Sequence, residues 1–227
     1  MRVNVILSEK PWHAAMVEDL RMVYTECEWI LIDKRSSFTE RTLKDLNPDY
    51  VFIPHWSYIL TPSIYNNFEC IIFHMTDLPY GRGGSPLQNL IARGHEQTQI
   101  SAIRCVKEVD GGPIYLKRPL ALAGTAEEIF RRAAYIIKDM ILEIADRNPT
   151  PSPQQGEIVK FLRRSPQDSN VGEIDNIESL YDHIRMLQCE GYPPAFLDSE
   201  SLHFTFSNAI IDGERLVARV EVTLKGK

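Results

Sequence analysis

Short apolar runs alternate with amphipathic segments through the first half of the chain. The runs are nearly continuous and rich in Val, Ile and aromatic residues, as in strands that are covered on both faces. They lie at residues 3–7, 29–32, 50–53 and 71–73. Helical spacing of apolar residues over 11–24 predicts a helix between the first two runs, and Ser37 with Glu40 predicts the capped start of another over 37–46.

The pattern continues with a predicted short helix at 86–93, a strand at 99–106 and a strand at 114–120 after the turn Asp110-Gly111-Gly112-Pro113. Strands that alternate with helices predict an open, largely parallel, Rossmann-like α/β sheet with helices on both faces. In such sheets ligands bind at the carboxyl ends of strands.

The clearest helix follows this sheet. Thr125 and Glu128 have the spacing of a capping box, and an apolar stripe at helical spacing then predicts a helix that packs on the sheet. The stripe consists of Ile129, Ala133, Ile136, Ile137, Met140, Ile141 and Ile144. Three prolines between Asn148 and Gly156 end the helix, which predicts a domain of residues 1–150.

Residues 151–227 predict a small α+β appendage. It has a short apolar run at 157–162, and two alternating segments at 202–211 and 215–224 flank Asp212-Gly213, a strong hairpin signal. Between them, helical spacing is shown by Ile177, Leu180, Tyr181, Ile184 and Leu187. If the chain forms a homodimer, this hairpin is the expected contact, because it offers an edge and an apolar face.

Composition narrows the function classes. The 227 residues are 44% hydrophobic and 25% charged, which excludes disordered and collagen-like proteins. A formal net charge of −6 argues against a nucleic-acid partner. Four scattered cysteines form no metal-binding pattern, and no stretch has the apolar length of a signal or membrane segment, so we expect a cytoplasmic protein without metal and without a membrane partner.

Polar and special residues are densest between His74 and Pro86. A histidine that ends an apolar run and precedes a Gly-rich loop has the position of a ligand-binding residue in an open sheet, although a structural histidine fits the same pattern. The loop is neither a phosphate loop nor a dinucleotide fingerprint, and no G-x-S-x-G elbow surrounds Ser57 or Ser85.

Two motif segments of the chain contain His74, Leu78-Pro79, Arg82-Gly83, Pro86-Leu87-Gln88 and the later Asp110-Gly111-Gly112. Together they resemble the folate-dependent formyltransferase family, which includes the methionyl-tRNA formyltransferases. The likeness covers most of residues 1–147 and is greatest to the sugar N-formyltransferases of the pseudaminic acid type. It implies an enzyme that moves a formyl group from N10-formyltetrahydrofolate to the amine of a nucleotide-activated deoxyamino sugar.

The resemblance also implies a site. His74 and Asp110 are the expected catalytic residues, because an imidazole titrates near neutrality and a carboxylate can orient it. The expected folate-binding residues are Tyr58, Ile59, Leu60, Thr76, Asp77, Leu78, Pro79, Arg82, Val106 and Val109. The family motif has an asparagine two positions before its histidine, and Ile72 stands there in this sequence.

An isoleucine cannot donate a hydrogen bond to a formyl oxygen, so a weakened formyltransferase-like binding domain stays open as an alternative. A hydrolase of the same fold that releases formate from the folate is a second alternative, separated from a transferase only by the likeness of the loops. Loop backbone N–H groups, the Asn89 amide and His74 itself are candidate replacements for the missing donor. The cations offered to an acceptor's diphosphate are Arg82, Arg93, Lys117, Arg163, Arg164 and Arg185.

Overall fold

The structure is a computed structural model that describes residues 2–225. Short 3₁₀ turns at Arg35–Ser37 and Pro166–Ser169 accompany its regular elements. In chain order the helices and strands of the described residues are β1 Arg2–Ser8, α1 Pro11–Val23, β2 Cys27–Ile32, α2 Glu40–Leu46, β3 Tyr50–His55, α3 Pro62–Tyr65, β4 Cys70–His74, β5 Tyr80–Gly83, α4 Pro86–Ile91, β6 Gln97–Arg104, β7 Ile114–Ala121, α5 Ala126–Arg147, β8 Val159–Phe161, α6 Ile177–Arg185, β9 Ala195–Asp198, β10 Leu202–Asp212 and β11 Arg215–Leu224.

The chain divides into two compact units that alternate along the sequence. Unit 1 comprises Met1–Gly83, Thr98–Leu120 and Arg131–Lys160. Unit 2 comprises Gly84–Gln97, Ala121–Phe130 and Phe161–Lys227. This division differs from a single boundary near residue 150, because two earlier segments belong with the carboxyl-terminal part of the chain.

A six-stranded sheet with the order β2-β1-β3-β4-β6-β7 forms the centre of the fold. The pairs β1/β2, β1/β3 and β3/β4 are parallel, whereas β4 and β6 are antiparallel. The predicted open, largely parallel α/β sheet is therefore confirmed. All four early strands occur where continuous apolar runs predicted them.

The two faces of this sheet bury different side chains. Val51 and Ile53 of β3 pack in a cluster with Leu43 of α2 and Ile64 of α3. Alternation along the strand places aromatic residues on the opposite face, where the Phe52 ring lies 5.2–6.3 Å from three other rings. These rings belong to Trp29, Tyr50 and Phe73.

Helix starts follow local capping chemistry. Glu128 N–H donates to Thr125 Oγ1, and the Glu128 carboxylate accepts the Thr125 N–H, so the predicted capping box is present. The prediction that Ser37 caps α2 is wrong. Thr39 is the N-cap, since its hydroxyl accepts the N–H of Thr42, and Ser37 ends a separate 3₁₀ turn.

The proline-rich segment after α5 forms backbone hydrogen bonds to the start of β7. Ser152 and Ile114 exchange two backbone hydrogen bonds of 2.7 and 2.9 Å. Beyond it β8 pairs with β5, a four-residue strand inside the loop that follows His74. Prolines broke the helical pattern as expected, and Ser152 of the segment forms a β-bridge with Ile114 within unit 1.

Unit 2 contains the antiparallel sheet β9-β10-β11, whose long β10/β11 hairpin is confirmed. Gly213 has a φ of +60° in the two-residue turn, which matches its glycine requirement. A bulge between Ser207 and Ile210 contains Asn208 at a φ of +52°, and its N–H donates to Gln188 Oε1. Strand β9 was not predicted from the sequence.

Cys27, Cys70, Cys105 and Cys189 are buried free thiols. Burial is the main cause that raises the pKa of Cys70 to about 12 and that of Cys105 to about 11. Across residues 2–225, the helices are all too short or too polar to span a bilayer.

Candidate active site

His74 ends β4 and its side chain is 8% exposed. Its Nε2 lies 2.8 Å from the carbonyl oxygen of Gly81, which can only accept a hydrogen bond. Nε2 therefore carries the hydrogen, and in the neutral ring the lone pair belongs to Nδ1. The loop after the strand thus fixes both the tautomer and the orientation of the imidazole.

Asp110 faces that lone pair. Its Oδ1 lies 3.6 Å from His74 Nδ1, and its Oδ2 accepts the N–H of Gly83 at 2.8 Å. Strand β6 is antiparallel to β4, so Asp110 does not follow the carboxyl edge as a parallel strand would place it. The segment after β6 instead begins beside the start of β4 and returns to reach His74.

The backbone of this segment is tightly constrained. Asp110 has a φ of +52°, a left-handed conformation that costs a non-glycine residue about 1 kcal/mol. Gly112 has no room for a side chain, because a Cβ there would lie 1.7 Å from the carbonyl oxygen of Arg104. The glycines of the Asp110-Gly111-Gly112 turn therefore serve close packing as well as turning.

Arg82, one of the expected folate-binding residues, is committed to neighbours within unit 1. Its Nη1 donates to Glu108 Oε1 at 2.7 Å, and its Nε and Nη2 donate to Gln154 Oε1 at 3.1 and 2.8 Å. The guanidinium is buried, and it links Glu108 to Gln154 at the site. These three residues form a brace for the loops.

The other expected folate-binding residues form two groups. The first group is buried, so its side chains pack inside the protein; it consists of Leu60, Thr76, Leu78 and Pro79. The second group is exposed and consists of Tyr58, Ile59, Asp77 and Val109, while Val106 is half-buried. Leu60 packs in the same cluster as Cys105, the residue before Val106. Ile59 and Val109 are apolar side chains that are 89% and 58% exposed.

Lys117 holds the loop between β4 and β5. Its ammonium donates to Asp77 Oδ1 and to the carbonyl oxygen of Leu78. The Asp77 carboxylate is therefore already paired within the chain. Ser101, which pairs with His74 across the sheet, accepts the Leu78 N–H and donates to the Thr76 carbonyl.

Ile72, which stands at the position of the missing donor, and Asn89, a candidate replacement, both have other contacts. Ile72 is half-buried and packs against the apolar cluster of unit 1. The Asn89 amide donates to the carbonyl oxygens of Gly84, Ser85 and Leu162, so its N–H groups are used.

A second histidine site lies at the ends of β1 and β3. Ser8 Oγ lies 2.7 Å from His13 Nδ1, and both residues are buried. Burial, with the charges of His55 and Lys10, lowers the pKa of His13 to about 3. Burial and Lys10 lower the pKa of His55 to about 4, so both rings are neutral at physiological pH.

Several cations considered for the acceptor are engaged within their own unit. Arg185 donates to Asp182 and to the carbonyl oxygens of Leu122 and Gly124, and Arg93 lies over the Phe161 ring. The described residues 2–225 contain no group of three His, Cys, Asp or Glu side chains arranged for a metal ion.

The residue that sequence reasoning missed is Gln154. It lies in the proline-rich segment, and its amide links Arg82 to the backbone around Gly111. A polar residue among prolines carries no signal for such a role, because its partners are far away in the chain.

The fold agrees with the family comparisons. The family described as "Formyl transferase" matches residues 23–139, and "Methionyl-tRNA formyltransferase, C-terminal domain" matches residues 166–223. The chain therefore belongs to the formyl transferase family.

Particular relatives can then be named. The structure titled "Methionyl-tRNA formyltransferase from Clostridium thermocellum" is 42% identical with a TM-score of 0.96, over 99% of this chain and 100% of that one. The methionyl-tRNA formyltransferase of Wolinella succinogenes is 27% identical over 68% of this chain and 52% of its own length, so the chain spans about half the length of the curated relatives it matches. A sugar N-formyltransferase from Shewanella sp. shares the fold at 15% identity, with a TM-score of 0.69 over 96% of both chains.

Proposed function

We propose that the protein is an N-formyltransferase that moves a formyl group from N10-formyltetrahydrofolate to the amine of a nucleotide-activated deoxyamino sugar. The observation that carries the proposal is the His74–Asp110 pair, whose side chains are 8% and 11% exposed, in a chain of the formyl transferase family. The likeness of the loops around these two residues to sugar N-formyltransferases supports the acceptor class.

In this proposal the acceptor amine attacks the formyl carbon, and it must lose a proton while the folate nitrogen gains one. His74 Nδ1 and Asp110 Oδ1 are two proton acceptors that face each other at 3.6 Å, so a proton from the amine is received between them. Gly81 holds the ring through Nε2, and Gly83 holds the carboxylate through Oδ2, so neither group reorients during transfer.

The formyl donor needs a flat apolar surface and hydrogen-bonding groups for its pterin. We assign the exposed side chains of Ile59 and Val109 to the first role and backbone groups of the Thr76–Pro79 loop to the second. Arg82 and Asp77 contribute indirectly in this proposal, since their charged groups are paired inside the chain. Charge that develops on the formyl oxygen requires a donor other than Ile72, and backbone N–H groups of the loop remain the proposed source.

Charge favours a small acceptor over a polyanion. Residues 161–227 contain eleven acidic and seven basic side chains. Arg185, Arg215, Arg219 and Lys225 each form an ion pair with a carboxylate. A transfer RNA needs a broad basic surface, whereas a sugar diphosphate needs only one or two cations.

Methionyl-tRNA is a second candidate acceptor, because the relatives of highest identity reported above carry that name. The two acceptors can be compared in one assay. The protein is incubated with N10-formyltetrahydrofolate alone, with a 4-amino-4,6-dideoxy sugar nucleotide, or with methionyl-tRNA. Tetrahydrofolate release is followed optically, and the formylated product is identified by mass spectrometry.

We expect release only when the sugar nucleotide is present, with the formyl group found on its amine. Release with methionyl-tRNA alone would establish the second acceptor, and release without any amine would establish a hydrolase. Folate binding without release in any arm would favour the weakened domain. The His74→Ala variant serves as the negative control in every arm.

A further inference from the structure

Gln154 contacts both sides of the turn that contains Asp110. Its Nε2 donates to the carbonyl oxygens of Asp110 and Gly112 at 2.7 and 2.8 Å, so both amide hydrogens are used. Its Oε1 accepts two hydrogen bonds from Arg82. Arg82 thus fixes the Oε1 end of the side chain, and the Nε2 end fixes the backbone of the Asp110 turn.

That backbone needs an external restraint. The left-handed φ of Asp110 is unfavourable for a non-glycine residue and persists only where surrounding contacts impose it. Two of those contacts come from Gln154, which fixes the carbonyl groups on either side of Gly111. The conformation in turn aims Oδ2 at the Gly83 N–H and Oδ1 at His74.

We propose that Gln154 is a positioning residue for Asp110, and that the proline-rich segment containing it is part of the active-site framework. The inference rests on the proposed function, because it assigns Gln154 an effect on transfer through Asp110. Arg82 and Glu108 complete the same brace, since Arg82 joins Gln154 Oε1 to the carboxylate of Glu108.

One substitution distinguishes a role in positioning Asp110 from a role in attaching the proline-rich segment to Arg82. Gln154→Glu keeps an oxygen for Arg82, and the new carboxylate forms an ion pair with it, but the two N–H donors are lost. Gln155→Glu is the matched control, because Gln155 is exposed in the same segment and introduces the same charge. Both variants are made in the full chain, and thermal unfolding is recorded for each.

Two readouts are measured. The first needs no substrate: hydrogen exchange of the Gly83 amide, followed by NMR, reports its bond to Asp110 Oδ2. We expect at least tenfold faster exchange in Gln154→Glu and no change in Gln155→Glu. The second is turnover with the acceptor that wild-type protein uses, where we expect kcat to fall about 10- to 100-fold with KM for the formyl donor within about twofold.

A coupling test completes the design. In the Asp110→Asn background, Gln154→Glu should lower kcat by less than about twofold, because its effect passes through the carboxylate already removed. Unchanged Gly83 exchange, unchanged kcat, or an undiminished effect in the Asp110→Asn background would each overturn the positioning role. Wild-type protein that transfers formyl to no acceptor would instead overturn the proposed function, while the exchange result would still report the brace.

Discussion

The His74 imidazole is oriented by a backbone carbonyl, and its carboxylate neighbour stands beyond hydrogen-bond distance. This arrangement leaves the Nδ1 lone pair directed at Asp110 Oδ1. At the scale of single residues, the chemistry proposed here therefore depends on two acceptor atoms and on the backbone groups that aim them.

Removing either acceptor should remove most of the activity. We expect His74→Ala and Asp110→Asn each to lower kcat by at least about 10²-fold, in the range of lost acid–base or electrostatic contributions. Circular dichroism should be unchanged. Near wild-type turnover in both variants would contradict the assignment of these residues.

Ile72→Asn tests the departure from the family motif. The new amide lies two residues before His74 on the same strand face and supplies a donor. Because the proposed loop N–H groups already supply a donor, we expect kcat under saturating folate to change by less than about twofold. The free energy of unfolding should fall by about 1–3 kcal/mol, because a polar group replaces a packed apolar one. A rise in kcat of about tenfold or more would contradict that source of the donor.

The sequence was sufficient to propose His74 and Asp110, because their motif segments are local and resemble those of the family. The sequence did not predict the brace that Arg82, Glu108 and Gln154 form. Its members are separated by dozens of residues, and their contacts depend on how the loop after β6 returns along the sheet. Arg82 was predicted as a folate-binding residue, and its contacts with Glu108 and Gln154 were not predicted, since a basic loop residue looks the same in sequence whether it meets a ligand or a glutamate.

At the scale of elements, the first strands and helices could be predicted because continuous apolar runs and 3.6-residue periodicity are strong signals. Strands β5 and β9 have four residues each, too few for a period to show. The start of α2 was misplaced because Ser37 and Thr39 both have side chains that cap helices, and only the packing of the turn selects between them.

The segment from β1 into α1 should make stability depend on pH. The pKa of His13 is about 3 in the folded chain and 6.5 in the unfolded one, so only the unfolded chain binds a proton between these values. The free energy of unfolding is therefore highest above pH 6.5 and falls as the pH drops. At pH 5 the loss due to this histidine is about 2 kcal/mol. Urea unfolding at pH 7.5 and 5.0 measures the loss.

His55 acts in the same direction, because its folded pKa of about 4 is also below 6.5. The variant His13→Gln should retain the part of the pH dependence due to His55 and lose the rest. An equal loss of stability between the two pH values in the variant and the wild type would show that His13 does not contribute.

The turn after β6 should be intolerant of side chains at one position only. Gly112→Ala places a Cβ against the Arg104 carbonyl, which is backbone and cannot move alone, so we expect a loss of about 2–4 kcal/mol in unfolding free energy and a large loss of turnover. Gly111→Ala is the control. The atoms nearest to its Cβ belong to the flexible side chain of Glu108, and its effect on unfolding should be clearly smaller.

At the scale of the whole molecule, the hairpin of unit 2 leaves apolar side chains in solvent. Val220, Val222 and Leu224 of β11 are 45–54% exposed and share one strand face. Exposed apolar patches of this kind mark association sites in many proteins. If the chain forms a homodimer, with this hairpin as the contact expected from the sequence, the dimer would cover this face with its equivalent on a second copy.

Sedimentation velocity at micromolar concentration tests that expectation. Wild-type protein should sediment as a dimer, and Val222→Glu should sediment as a folded monomer. Thr223→Glu introduces the same charge on the opposite face of β11 and should remain dimeric. A monomeric wild type, or dissociation by both variants alike, would contradict association through this face.

The proline-rich segment also sets an order of events during synthesis. His74 and Asp110 leave the ribosome well before Gln154, whose amide holds the Asp110 turn. Residues 1–150 alone would contain both proton acceptors and lack that restraint. A nascent chain should therefore acquire its competent site only after the segment beyond α5 has emerged and paired through Ser152 with Ile114.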